Sequence, residues 1–139
     1  MARNIYYGGG MFFMLLFIGL TVDTVTAIPE RENRDQLTAE VAHGKELWEK
    51  NNCVGCHSML GEGAYFAPEL VNVYTRRGNN EAAFKAYFGA WMNAMPTGVK
   101  GRRQMPQFNL TPEELNDMAE FLIWTSRINA NNWPPNNEG

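Results

Sequence analysis

The chain has 139 residues, of which 45% are hydrophobic, and this suits one small domain with an accessory segment. Its formal net charge is −3 and no basic run exceeds two residues, which argues against a nucleic-acid partner and favours membrane and protein partners. Charge alone names no partner, so the function must be inferred from motifs.

The N-terminal segment is apolar. Residues 5–28 carry one charged residue, Asp23, and roughly 20 helical residues are enough to cross a bilayer. Arg3 precedes this stretch and an aromatic pair begins it, as in a span with a cytoplasmic N-terminus. We expect residues 1–29 to form a single-pass anchor in contact with membrane lipid, and the following domain to be periplasmic. The alternative is a cleaved secretory signal, because residues 25–27 offer small side chains to a signal peptidase.

The segment between this anchor and the first motif divides into two parts. Residues 30–37 are polar and predict a short linker that keeps the next domain near the membrane. Residues 38–52 predict a helix with a partial apolar face. That face consists of Val41, Leu47 and Trp48.

The most specific motif is Cys-x-x-Cys-His at residues 53–57. This spacing is the attachment site of a c-type haem, in which Cys53 and Cys56 form thioethers with the porphyrin and His57 is the proximal iron ligand. A zinc site needs about four Cys or His ligands, whereas the chain has two cysteines and one further histidine, His43. A thioredoxin-like dithiol would require strand-period flanks, which are not seen here. We therefore predict one covalent haem c.

Downstream of the motif, residues 58–67 contain glycines and predict a loop around the haem. Residues 81–95 predict a helix, because large apolar residues recur at three- and four-residue spacing. The last helix has the clearest start, with Thr111 as N-cap, Pro112 at its first position and Glu114 completing a capping box. Its predicted buried face is Leu115, Met118, Ala119, Leu122 and Ile123.

Electron-carrying haems usually have a sixth ligand, and methionine opposite histidine raises the reduction potential. Met95 and Met105 each precede a proline, which favours an extended backbone that can direct the thioether at iron. We prefer Met105, because it lies in an irregular segment just before the last helix, the usual order in the small c-type cytochromes that this chain resembles. The less suitable candidates are Met59, Met92 and His43. Arg102 and Arg103 lie near Met105 and are candidates for haem propionate contacts.

These patterns predict a mainly α protein, with one N-terminal transmembrane helix followed by a small all-α class I-like cytochrome c domain. The monohaem domain covers residues 38–128, and an Asn- and Pro-rich tail covers residues 129–139.

Long strings of the sequence resemble one family, the small membrane-anchored cytochrome c subunit of bacterial cytochrome-c-dependent nitric oxide reductase. The resemblance is carried by MARNIY at 1–6, NCVGCHSMLGEGAYFAPEL at 52–70, GRRQMPQFNL at 101–110 and NWPPN at 132–136. It implies an electron-transfer subunit in the bacterial inner membrane. Electrons would come from a soluble periplasmic cytochrome c or small copper protein. They would pass to a b-type haem of a large membrane subunit, which reduces NO to N2O at a haem paired with a non-haem iron.

The resemblance also implies that this chain has no NO-reducing site of its own and that a calcium ion lies at the subunit interface. The matching ligands would be the Gly63 carbonyl and the Tyr65 hydroxyl, and calcium prefers oxygen donors of this kind. Two other functions fit the haem motif: a membrane-anchored monohaem cytochrome serving another respiratory complex, and a five-coordinate haem gas sensor.

Overall fold

A computed structural model describes residues 2–98 and 104–130, and it is mainly helical. The helices are α1 (Ala2–Arg31), α2 (Ala39–Lys50), α3 (Val73–Arg76), α4 (Glu81–Asn93) and α5 (Pro112–Thr125). Two short strands, β1 (Ser58–Met59) and β2 (Glu62–Gly63), pair antiparallel, and 3-10 turns cover Arg34–Gln36 and Cys53–Gly55.

Helix α1 is apolar and its side chains are exposed along almost its whole length. Among the described residues, it is the helix that is long and apolar enough to cross a membrane. The helix continues past Pro29, where the anchor was predicted to end. Proline lacks a backbone N–H, but the helix is not broken there, since the N–H of Glu32 still donates to the Ile28 carbonyl at 2.9 Å. Asn33 then follows the helix in the left-handed conformation, with φ 52°.

Residues 30–37, the predicted linker, are hydrogen-bonded to the end of α5. Nε1–H of Trp124 donates to the carbonyl of Asn33 at 3.0 Å. The backbone N–H of Asn129 donates to the carbonyl of Arg31 at 2.9 Å. These bonds attach the following domain to the end of α1, whereas a flexible linker would leave it free.

The core of the domain forms where α2 packs against α5. Gly44 lies at this contact, and a Cβ there would be 2.1 Å from the backbone oxygen of Asp117. The helix backbones therefore approach more closely than any larger residue would allow. The predicted buried faces of both helices are confirmed, since all their members are buried.

Helices α2 and α5 begin where predicted. The hydroxyl of Thr38 accepts from the N–H of Val41 at 3.3 Å and caps α2. At α5, the Thr111 hydroxyl accepts from the Glu114 N–H at 3.2 Å, and the Glu114 carboxylate accepts from the Thr111 N–H at 2.8 Å. The predicted capping box is confirmed.

Helix α4 ends at Asn93, before the predicted end at residue 95. Its buried residues are Phe84, Phe88 and Met92. Trp91, predicted to lie on the same apolar face, is 48% exposed and stacks on Tyr87 with ring centroids 6.1 Å apart. Only part of the apolar face of α4 is therefore buried in the core.

The predicted loop over residues 58–67 contains the hairpin β1–β2, in which Ser58 lies opposite Gly63. Neither this hairpin nor α3 was predicted, because elements of two to four residues are too short to give a periodic pattern. Arg102, Arg103 and residues 131–139 of the predicted tail lie outside the described residues.

Candidate functional site

A cavity of about 210 Å³ brings together the motif cysteines, His57 and Met105. Its other walls are mostly apolar or backbone: Asn52, Phe66, Ala67, Pro68, Gln104, Pro106 and Phe108. One part of the lining comes from the turn after α2, and another part from the irregular segment before α5. Residues far apart in the sequence thus face one space.

The cysteines lie on a 3-10 turn that follows directly from α2. Asn52, with φ 53°, redirects the chain at the end of the helix, and the N–H groups of Cys56 and His57 donate to the Cys53 carbonyl at 3.1 and 2.9 Å. Burial raises the pKa of Cys53 to about 11, so its thiol is neutral at pH 7. Both cysteines are free of disulfide bonds. A neutral, partly buried thiol does not suit a thiolate-based redox or zinc site.

The orientation of the His57 ring is set by a backbone carbonyl. Its Nδ1–H donates to the carbonyl of Pro68 at 2.8 Å. A carbonyl can only accept, so the proton is on Nδ1 and the Nε2 lone pair is available to a metal. Burial lowers the pKa of His57, and the bond to Pro68 partly opposes this, which leaves the neutral imidazole that binds iron. The indole ring of Trp48 lies beside it, with centroids 6.2 Å apart.

Met105 lines the cavity from the irregular segment before α5, and hydrogen bonds of the nearby residue Gln107 hold this segment in place. The N–H of Gln107 donates to the Pro96 carbonyl at 3.1 Å, and its side-chain amide donates to the Asn93 carbonyl at 3.0 Å. Met95, the alternative ligand, is not among the residues that line the cavity. Met92 is buried in the core, and Met59 packs against the core without lining this cavity.

The other predicted site residues lie outside the cavity. Nδ1–H of His43 donates to the buried carboxylate of Asp117 at 2.7 Å, at the contact between α2 and α5. Gly63, with φ 108°, belongs to β2, and Tyr65 follows it with 53% of its surface exposed. The Tyr65 hydroxyl donates to the carbonyl of Gly61 at 3.1 Å.

The donor set fits a covalently attached haem. The cavity offers two thiols, an imidazole with an available Nε2 and a thioether, between apolar walls. A helical domain in which Cys-x-x-Cys-His and a methionine line one cavity is typical of a c-type cytochrome.

Comparison with known proteins agrees with this class. A sequence profile of the cytochrome c family matches residues 41–126. A nitric oxide reductase subunit of Stutzerimonas stutzeri is 61% identical over 139 residues, which cover 100% of this chain and 94% of that protein. The subunit of the same name from Paracoccus denitrificans is 52% identical over 143 residues, with 100% and 95% coverage. The chain belongs to this family of nitric oxide reductase subunits, and its fold is that of an electron-transferring c-type cytochrome.

A shorter relative matches only part of this chain. Cytochrome c-551 of Ectopseudomonas mendocina is 30% identical over 82 residues, which cover 59% of this chain and 96% of that protein. The cytochrome c profile begins at residue 41, after α1, the candidate membrane helix. The chain therefore combines a cytochrome domain with an apolar helix.

Several site features were not predicted from sequence. One is the carbonyl of Pro68 as the acceptor for His57, because a backbone carbonyl has no side-chain signature. Phe66 and Phe108 line the cavity, and their nearness to the haem motif and to Met105 was a usable signal. Glu69, directly after Pro68, is buried, whereas a charged side chain is usually exposed.

Proposed function

We propose that the chain is the electron-transfer subunit of nitric oxide reductase and that it holds one haem c in the described cavity. Cys53 and Cys56 would form the thioethers, and His57 and Met105 the axial bonds. The observation that carries the proposal is the convergence of these four residues on one cavity. When bound, haem c supplies a one-electron oxidation–reduction couple.

The residues of this chain determine how that couple behaves. Donation from Nδ1–H to the Pro68 carbonyl makes His57 a stronger electron donor to a metal. A methionine sulfur is a softer, weaker donor and raises the reduction potential. Phe66, Pro68 and Phe108 place apolar groups along the cavity, and an apolar lining disfavours added charge.

We further propose the direction of electron flow. Electrons enter from a soluble periplasmic cytochrome c or small copper protein and pass to a b-type haem in a large membrane partner. That partner holds a non-haem iron and reduces two NO to N2O and water. The names of the relatives, which are nitric oxide reductase subunits, support this assignment. A catalytic site of that type needs several histidines, and His43 in this chain is committed to Asp117.

For location, we propose that α1 spans the bacterial inner membrane once and places the haem domain in the periplasm. Its length, its apolar composition and its exposed side chains support a membrane span. Arg3, before the span, supports the orientation. Protease added to spheroplasts should release the haem domain, whereas a cytoplasmic domain would be protected.

We also propose a calcium ion at the interface with the large subunit, bound by the Gly63 carbonyl and the Tyr65 hydroxyl. The family resemblance is the main support. Both residues are exposed next to the β1–β2 hairpin, and oxygen donors suit calcium. Chelation should weaken subunit association without releasing the covalent haem. Retention of the complex and its activity in excess chelator would contradict this.

The deciding experiment is a reduced-minus-oxidised spectrum of the detergent-purified complex, followed by NO consumption with a reduced soluble donor. Haem c and haem b bands together with turnover would support the proposal. A haem c band without a large subunit and without turnover would instead indicate a membrane-anchored cytochrome for another respiratory complex.

A further inference from the structure

Glu69 is a glutamate buried to 1% exposure in the loop beside the cavity. Its Oε1 accepts from the backbone N–H of Leu60 at 2.8 Å. Its own carbonyl accepts from Nη2 of Arg76, also at 2.8 Å. Acidic side chains are rarely buried without such partners, so the burial of this carboxylate is tied to a specific hydrogen bond.

The partner of Glu69 lies in a strained turn. Leu60 and Gly61 connect β1 to β2 with φ 52° and 85°, the positive values of a type I′ hairpin turn. Leucine is disfavoured in this conformation, which asparagine and glycine adopt more readily. The carboxylate of Glu69 provides the acceptor that holds the Leu60 N–H in this geometry.

The bond from Leu60 to Glu69 is one of several that align the chain beside the haem motif. The N–H of Ala67 donates to the Cys56 carbonyl at 2.9 Å, and the N–H of Leu70 donates to the Ser58 carbonyl at 3.1 Å. Pro68, the acceptor for His57, lies between these two links and directly before Glu69. The glutamate side chain thus adds a third link, from the residue directly after Pro68 to the turn of the β1–β2 hairpin.

We propose that Glu69 is a positioning residue that sets the reduction potential of haem c through the Pro68 carbonyl. This rests on the axial role proposed for His57. A strong bond from Nδ1–H to Pro68 increases the electron donation of the imidazole and favours the ferric state. Displacement of Pro68 weakens that donation, so it raises the reduction potential.

Two substitutions separate position from charge. Glu69→Gln keeps the length and an acceptor oxygen for Leu60 but removes the negative charge. Glu69→Asp keeps the charge but shortens the side chain by about 1.5 Å, too far for a 2.8 Å hydrogen bond to be kept. Glu62→Asp, at an exposed glutamate in β2, is the matched control for shortening.

The measurement is an optical redox titration of the haem c band in the purified complex. Glu69→Asp should lower the ferric-to-ferrous ratio at a fixed ambient potential by about tenfold, equivalent to a rise of about 59 mV for a one-electron couple. Glu69→Gln and Glu62→Asp should stay near the wild-type value. A shift in Glu69→Gln with none in Glu69→Asp would overturn the proposal, because charge rather than position would then be responsible. Unchanged potentials in both would also overturn it.

Failure of the proposed haem ligation is detected separately, in the wild-type protein. If His57 and Met105 are the axial ligands, ferrous wild-type haem c is six-coordinate and does not bind carbon monoxide. Binding by the wild type would refute that ligation. If the wild type does not bind carbon monoxide and the Glu69 variants have the wild-type reduction potential, only the role of Glu69 is refuted. If Glu69→Asp does not accumulate, Glu69→Ala, which removes the acceptor for Leu60, takes its place. A raised potential in Glu69→Ala with a wild-type value in Glu69→Gln supports positioning, and a wild-type potential in both overturns it.

Discussion

The haem domain is built from two unlike halves. On one side, α2 and α5 pack so closely that Gly44 meets the backbone of Asp117, and their apolar residues are buried. On the other side, residues 53–70 and 104–110 have little regular structure and are held mainly by single hydrogen bonds to backbone groups. We expect the helical half to determine stability, and the loop half to determine the haem ligation proposed above. Changes in one half should therefore leave the other property largely intact.

The largest expected effect is in the loop half. Met105→Ala should leave haem attached through Cys53 and Cys56 but open the iron, so that the ferrous protein changes from no carbon monoxide binding to full binding. The loss of sulfur ligation should also lower the reduction potential. Optical titration with carbon monoxide checks this. Met95→Ala is the matched control, and carbon monoxide binding by that variant instead would show that the axial assignment is wrong.

In the helical half, Gly44→Ala should destabilise the domain by about 2–3 kcal/mol through overpacking. Its Cβ would lie 2.1 Å from the Asp117 oxygen and 2.8 Å from the Phe121 Cβ. Guanidinium unfolding in detergent, followed by haem c absorbance, measures the change. Gly89→Ala in α4 has no atom within 4 Å of the new Cβ and should stabilise by about 0.5–1 kcal/mol. Equal effects of the two substitutions would contradict close packing at Gly44.

A smaller loss is expected at the start of α5. Thr111→Ala removes the hydroxyl that accepts from the Glu114 N–H, which is one of the two hydrogen bonds of the capping box. The expected loss in stability is about 1 kcal/mol. The same unfolding assay applies. Glu113→Ala in the same turn removes only a favourable interaction with the helix dipole, about 0.3 kcal/mol. Carbon monoxide binding should remain absent in both variants.

The smallest effect is a pH dependence at the helix contact. The hydrogen bond to Asp117 raises the pKa of His43 above its ordinary value of 6.5; burial opposes this and Glu46 and Glu114 reinforce it. The stabilisation is therefore fully present below pH 6.5 and is lost as pH rises through the raised pKa of the folded state. Unfolding of wild type and His43→Gln should differ most at low pH and converge at high pH. A difference that grows with pH would contradict the pairing.

The sequence predicted the helical half better than the loop half. Apolar spacing and the cap at Thr111 are local signals, and α2 and α5 follow them closely. The motif at residues 53–57 predicted the haem attachment because its chemistry depends on local spacing alone. The cavity itself depends on contacts between distant segments, such as Gln107 with Pro96, which no local pattern encodes.

The misses have the same physical origin. The bond from His57 to Pro68 uses a backbone carbonyl, which every residue possesses. The partnership of His43 with Asp117 joins residues 74 positions apart, and burial of Glu69 opposes the usual exposure of glutamate. In each case tertiary contacts override the preference of the residue type.

Trp124 and Asn129 donate hydrogen bonds to the carbonyls of Asn33 and Arg31, where α1 ends, and these bonds affect the rate of electron transfer. A cytochrome on a loose tether searches the volume around its attachment point, and each transfer then waits for a productive collision. A domain that is hydrogen-bonded to the end of α1 does not diffuse around its attachment point in this way. Any protein that packs along α1 would meet the haem cavity at one distance and in one orientation. Transfer between them would then be a unimolecular step, insensitive to viscosity and to protein concentration.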